Sequence, residues 1–475
     1  MTYKLFSLSI LLIFLVLLSA CTTKQAIDSY TINSPYKLEI KEHNSQMSPI
    51  LKQVATTQPV VALSFNGLAD KESTLRLLDE LDRLKINATF FLPGMRVAEE
   101  PELALEIKQR GHEIQNNTLN YELMSDKNYE QTYVEIELSN QILEKELGIK
   151  PTLVRSRSGD YTDKMRLVTS QLGMSAVVSY SINLTNNNEQ VNTTDLDKLI
   201  SRGAIIHLNS YLNEEIINSL EEINKIAKEN RLTLTTISEV LNNSYTKLPL
   251  EKIEILHPIQ FNSNFVNAKP DIFLSNTDSK KEVALTFDDW ASDIQITKVL
   301  DVLDNYNIKS TFFLIGKGVE KNPNLAKLII ERGHEIANHS YNHLEVTALS
   351  PNDLQQDILR AHKVITEAIQ QEPLPYFRPP KGVIDEESAK VITSMGIQTI
   401  VLYDVASYDW DLSFNEFDIY RRVTERTNPG SVINMHILDN TKTVEALPLI
   451  IEKLQSEGYT FIKLSEWIEL NGIDQ

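Results

Sequence analysis

Residues 61–121 align with residues 283–343 without a gap, and roughly 27 of the 61 paired positions are identical, so the chain carries two copies of one folding unit. Val61-Ala62-Leu63-Ser64-Phe65 answers Val283-Ala284-Leu285-Thr286-Phe287, and Arg110-Gly111-His112-Glu113-Ile114 answers Arg332-Gly333-His334-Glu335-Ile336. The correspondence runs on through Arg155 and Gly159 with Arg378 and Gly382, Tyr180 with Tyr403, and Gly203 with Gly430. Any fold assigned to one copy must therefore serve the other.

Within a copy, short apolar runs alternate with helical periodicity. The second copy predicts a strand over Val283 to Phe287, a helix over Ile294 to Tyr306, a strand over Ser310 to Ile315 and a helix over Asn324 to Arg332. A basic last turn followed by glycine, as at Arg332-Gly333 and Arg110-Gly111, is a helix stop before the next strand. Repeated βα units with buried strands predict an α/β fold whose parallel sheet is closed or nearly closed into a barrel, with functional residues at the carboxyl ends of its strands. The expected organisation is a leader over 1–20, a tether over 21–58, a first copy over 59–243, a linker over 244–279 and a second copy over 280–475.

At the amino end, Lys4 precedes an unbroken apolar run from Ile10 to Leu18, shorter than a membrane-spanning helix needs, which predicts an export signal. Leu18-Ser19-Ala20-Cys21 resembles the lipobox of bacterial lipoproteins. Cys21, the only cysteine, is then the acylated residue, and the chain is expected outside the cytoplasm, lipid-anchored to the cell membrane. The formal net charge of −19 is spread along the sequence with no dense basic stretch, which argues against nucleic acid as a partner and favours an uncharged substrate over a strongly anionic one.

The second copy concentrates chemistry-bearing residues. Asp288 and Asp289 directly follow a strand, so that one carboxylate can bind while the other reacts. His339 and His343 follow the predicted strand His334 to Ala337 at a spacing that lets two imidazoles meet one cation. One Asp and two His leave coordination positions open for water and substrate, as in a catalytic metal site. Arg378-Pro379-Pro380-Lys381-Gly382, then Asp409-Trp410, then His436 after the strand-like Ser431 to Met435, complete the set.

These motifs, in this order over about residues 280 to 470, resemble the polysaccharide deacetylase family, the NodB-like carbohydrate esterases. The resemblance implies two tandem NodB-like distorted (β/α) barrels. It also implies a divalent metal, zinc first with cobalt, manganese or nickel as the other candidates, bound by Asp289, His339 and His343. Asp288 would be the general base and His436 the acid. Arg378 would orient Asp288, Asp409 would hold His436, the Lys381 amide would stabilise the oxyanion, and Trp410 would line the substrate site. Trp290, Lys381 and Asn434 depart from the family's usual residues, which touches the shape of the acetyl pocket and leaves every reacting group in place. Trp290 and Trp410 each suit packing or sugar stacking.

The first copy is an internal control. At the positions of Asp288, Asp289, His339, His343 and His436 it has Asn66, Gly67, Asn117, Tyr121 and Asn209, so its fold persists without the chemistry. His112 and His334 occur in both copies and are read as scaffold, as is His207. The expected activity is removal of N-acetyl groups from an extracytoplasmic glycan containing N-acetylhexosamine. An O-acetyl esterase and a non-catalytic glycan-binding lipoprotein are the competing readings.

Overall fold

The strand Glu282–Asp289 buries seven of its eight residues, the pattern of a strand covered on both faces. Alternate residues divide between two environments. Leu285 and Phe287 join the apolar layer under the helices, with Ile296, Val299, Leu300 and Leu303 of helix Asp293–Asn305 and with Phe312 and Leu314. Ala284 faces the other way, into a smaller cluster with Phe313, Ala337, Tyr376, Val401 and Val432. The computed structural model describes residues 38–185, 191–211 and 213–468; Cys21 and its leader lie outside them. Among the described residues no helix is long and apolar enough to cross a membrane.

The second copy's sheet runs in the order Ile272–Phe273, Thr399–Val401, Tyr376–Phe377, Glu335–Asn338, Thr311–Leu314, Glu282–Asp289, Val432–His436, Val405–Ala406, and Thr460–Ile462 pairs with the start of Glu282–Asp289. All of these pairings are parallel. The first copy repeats the order with Ile50–Leu51, Ala176–Val178, Leu153–Val154, Glu113–Asn116, Thr89–Leu92, Val60–Asn66, Ile205–Asn209 and Ile182–Asn183, and Thr233–Thr235 pairs with Val60–Asn66. These are two tandem NodB-like α/β folds, distorted barrels in which, among the described residues, a single antiparallel bridge, Gln53 with Ala204 in the first copy and Ser275 with Ser431 in the second, links the chain after the first edge strand to the residue just before the strand beside the other edge.

The predicted elements are present with small shifts. The central strand runs on through Asp288 and Asp289, and His436 is the last residue of its strand rather than the first beyond it. Ile50–Leu51 and Ile272–Phe273 are edge strands in stretches read as tether and linker. Two residues are too few to show an alternating pattern in sequence.

The chain divides into two compact units. One comprises residues up to Lys52, Leu63–Val191 and Ile206–Leu220; the other comprises Gln53–Ala62, Asn192–Ile205 and Glu221–Gln475. The second unit thus includes three stretches whose sequence belongs wholly or partly to the first copy, Gln53–Ala62, Asn192–Ile205 and 221–243.

Candidate active site

The carboxyl ends of four strands of this sheet, two on either side of Thr311–Leu314, deliver the second copy's singled-out residues to one place. Asp288 and Asp289 end the central strand, His339 follows Glu335–Asn338, Arg378 follows Tyr376–Phe377, and His436 ends Val432–His436 directly beside Asp288.

Asp288 shares the inward parity of Ala284 and Thr286, and Arg378 binds it there. The guanidinium is fully buried over the Phe313 ring, 4.0 Å from its centroid. Its Nη1 donates to Asp288 Oδ1 at 2.7 Å, to Thr286 Oγ1 at 2.9 Å and to Asn434 Oδ1 at 2.9 Å. Burial alone would raise the Asp288 pKa; the charges of Arg378, His339 and His436 overcome it and hold the group below the ordinary carboxylate value. Asp288 is therefore an ionised carboxylate held in one orientation.

Asp289 would face outward if the strand stayed extended. Instead its φ is 81°, and this turn carries Oδ1 to 3.2 Å from His343 Nε2 and 3.7 Å from His339 Nε2. His343 itself sits at φ 57°. Such conformations cost about 1–3 kcal/mol each outside glycine and persist where surrounding contacts enforce them. Ligand atoms of Asp289, His339 and His343 all lie within 4.8 Å of one another. Asp289 Oδ1 is buried and, among the described residues, accepts no hydrogen bond. Donors bound to one tetrahedral zinc ion lie roughly 3.3 Å apart, so the cluster fits a cation with little adjustment. His339 Nδ1 lies 2.8 Å from the Arg378 carbonyl oxygen and donates to it, which aims Nε2 at the cluster. Burial, with His339 beside it, holds the His343 pKa below the ordinary value and favours the neutral form a metal requires.

His436 stands on the other side, with Asp409 behind it. Asp409 Oδ1 is 2.7 Å from His436 Nδ1, and Oδ2 accepts from the His436 main-chain N–H at 2.9 Å. Ser407 and Thr443 hydroxyls hold the same carboxylate, each at 2.7 Å. Burial would lower the His436 pKa; the Asp409 bond and charge, with those of Asp288 and Asp289, reverse this and push it up to about 9. His436 is thus protonated at neutral pH.

Lys381 adopts φ 62° in the turn Pro380–Gly382, and its side chain leans away to Glu345 at 3.3 Å. Trp410 is 51% exposed, 5.6 Å from the Tyr408 ring, whereas Trp290 lies against Gly318 so closely that a Cβ there would fall 2.2 Å from its Cγ. The first ring is about half exposed to solvent; the second is packed against the fold. Sequence reasoning missed the bonding roles of Thr286, Ser407 and Thr443; Thr286 and Ser407 each stand two residues before an aspartate, and Thr443 had no such signal. Asn434, noted as a departure, is an acceptor for Arg378 and lies 3.4 Å from His436 Nε2.

In the first copy the corresponding groups bond one another. Asn117 Oδ1 accepts from Gly67 N–H at 3.0 Å, and its Nδ2 donates to the Arg155 carbonyl at 2.8 Å. Asn66 Nδ2 donates to the Ser156 and Arg157 carbonyls. Asn117, at the position of His339, is thus tied to Gly67 and to the Arg155 carbonyl.

The model of the family described as polysaccharide deacetylase matches residues 53–177 and 275–400, together more than half of the chain. The chain belongs to the polysaccharide deacetylase family. This polysaccharide deacetylase is 36% identical over 191 residues to a peptidoglycan-N-acetylglucosamine deacetylase of Bacillus cereus, an alignment covering 40% of this chain and 88% of that one. It is 30% identical over 205 residues to the peptidoglycan-N-acetylmuramic acid deacetylase PdaA of Bacillus subtilis, covering 43% and 77%. Among solved structures, the peptidoglycan N-acetylglucosamine deacetylase Bc1960 matches with a TM-score of 0.40 and 32% identity over 42% of this chain and 94% of that one. Deacetylases of this family are metal-dependent, and this chain has an Asp, His, His cluster suited to a metal.

Proposed function

We propose that the second copy removes N-acetyl groups from a glycan containing N-acetylhexosamine outside the cytoplasm, with Asp289, His339 and His343 holding a divalent metal, zinc first. The observation that carries this reading is the arrangement of Asp288 and His436 about the metal cluster: an ionised carboxylate fixed by Arg378 and a protonated imidazole fixed by Asp409. Relatives named for action on peptidoglycan N-acetyl groups favour the amide over the ester.

When bound, the metal supplies Lewis-acid polarisation and an activated water near neutral pH. Asp288 accepts the proton of the attacking water, and Arg378 keeps its carboxylate aimed. The Lys381 amide donates to the oxygen on which negative charge develops. His436 delivers a proton to the departing amine, and Asp409 balances the imidazolium charge until it does. Trp410 offers an exposed ring for a sugar face.

The test is acetate release by the chain lacking Cys21 and everything before it, from N-acetylglucosamine oligomers and from acetylated xylan, with chelator and with zinc or cobalt restored. Release from the oligomers, lost with chelator and regained with metal, is expected. Release from xylan alone makes it an O-acetyl esterase; metal-free protein that binds oligomers without turnover makes it a binding protein. The lipid anchor at Cys21 belongs to the same proposal, and incorporation of labelled palmitate into the wild type and not Cys21→Ala is its check.

A further inference from the structure

Asp293 begins the helix Asp293–Asn305, four residues beyond Asp289, and its side chain is 1% exposed. Its counter-ion is Arg202, 4% exposed. Arg202 Nη2 donates to Oδ1 at 2.7 Å, Nε to Oδ2 at 2.9 Å, and the Arg202 main-chain N–H to Oδ2 at 3.1 Å. Arg202 also donates to Thr297 Oγ1 and to the Thr57 carbonyl, and Asn322 adds a bond to Asp293. All of these residues lie in the second compact unit, which takes in Gln53–Ala62 and Asn192–Ile205. Asn324 fastens those stretches by donating to the Val54 and Arg202 carbonyls.

The ion pair is not inherited from the repeat. Lys71 stands at the first-copy position of Asp293, Glu100 and Glu102 at those of Asn322 and Asn324, and Pro429 at the second-copy position of Arg202. A buried ion pair adds little stability over an apolar pair of similar volume, so stability alone does not account for it. What a two-pronged guanidinium–carboxylate contact provides is orientation. The chain between Asp289 and Asp293 is short and held at three of its residues: Trp290 against Gly318, the Ser292 N–H and hydroxyl on Asp439, Asp293 on Arg202. The unfavourable φ of Asp289 requires such enforcement.

We infer that Arg202, a residue of first-copy sequence, is a positioning residue for the metal ligand Asp289, so that the copy lacking metal ligands supplies part of what shapes the metal site. The inference rests on the metal-centre reading above. Its test is Co²⁺ affinity of the purified chain, by competition with a chelating dye, alongside circular dichroism and thermal melting. Arg202→Met, folded by dichroism, is expected to bind Co²⁺ about tenfold more weakly, in the range typical of supporting shells. Arg202→Met with Asp293→Leu, which leaves no unpaired buried charge, carries the same expectation if the single variant does not fold. Wild-type affinity in folded Arg202→Met, or in the paired variant, overturns the inference and leaves the metal centre standing. Absence of Co²⁺ binding by the wild type removes both.

Discussion

Asp409 holds His436 through both oxygens, Oδ1 against the ring Nδ1 at 2.7 Å and Oδ2 against the main-chain N–H at 2.9 Å, so one carboxylate sets both the charge of the imidazole and the place from which it acts. The ring must be protonated to serve as acid. Activity therefore falls as pH rises through the His436 pKa, raised to about 9. In Asp409→Asn the bond and charge that overcome burial are gone, and the alkaline limb of kcat/KM moves to lower pH, with kcat at neutral pH lower by about 10²–10⁴-fold. An unmoved alkaline limb in the variant would show that Asp409 does not tune the acid.

Asp288 and Asp289 are neighbours with separable roles. Asp288→Asn keeps the three metal ligands and removes the base, so metal content stays stoichiometric while turnover drops by roughly 10²–10⁴-fold. Asp289→Asn or His339→Ala loses the metal itself. Metal analysis and acetate release on the same preparations separate the two, and full turnover in Asp288→Asn would sink the base assignment.

Arg378 is fully buried, and its removal leaves Asp288 as a buried charge without its partner. Arg378→Met is expected to destabilise the fold by about 3–5 kcal/mol in denaturant melts. Arg378→Lys retains charge but not the fan of bonds to Thr286, Asp288 and Asn434, and is expected to recover part of the stability and little of the turnover. Equal turnover in Arg378→Lys and wild type would contradict an orienting role.

The residues that meet in the site were legible because each ends a strand or follows one directly. Once the repeat exposed the strand positions, Asp288, Asp289, His339, Arg378 and His436 had to fall at one end of one sheet. The first copy sharpened this by showing which positions the fold itself does not need. Other features had no local signature. Thr443 reaches Asp409 from 34 residues away, Arg202 reaches Asp293 from 91, and the positive φ of Asp289 depends on contacts that no pattern of hydrophobicity encodes.

The shared histidines give a prediction about stability. Ser310 N–H donates to His334 Nδ1 at 3.1 Å, and Ala88 N–H to His112 Nδ1 at 3.2 Å, so each ring is an acceptor at Nδ1 and must be neutral to fit. Burial is the main cause that pushes both pKa values down to about 4. A folded pKa below the unfolded value of about 6.5 means the unfolded chain takes up protons first. The contribution of each ring is full above about pH 6.5 and is lost as pH falls towards 4, about 2–3 kcal/mol at pH 4.5. His334→Asn keeps an acceptor and removes the titration. Its stability difference between pH 7.5 and 4.5, read from urea melts, should be smaller than that of the wild type by about this amount; an identical difference rejects the assignment.

Asp289 and Gly67 occupy equivalent positions with nearly the same backbone, φ 81° and φ 86°, so the metal-binding copy places a residue with a side chain where the other copy has glycine. Without metal, Asp289 combines an unfavourable φ with a buried oxygen that accepts no hydrogen bond among the described residues. Both are costs that Asp289→Gly removes. The variant should therefore lose metal binding and yet melt higher than metal-free wild type, by about 2–4 °C for ~1 kcal/mol in a domain of this size. With saturating metal the order should reverse, because binding to the native state stabilises only the wild type. Calorimetric scans of both proteins, with chelator and with zinc, give four melting temperatures. If Asp289→Gly melts below the wild type in chelator, the side chain stabilises the fold in its own right, and the strain at Asp289 is not held in place for a metal.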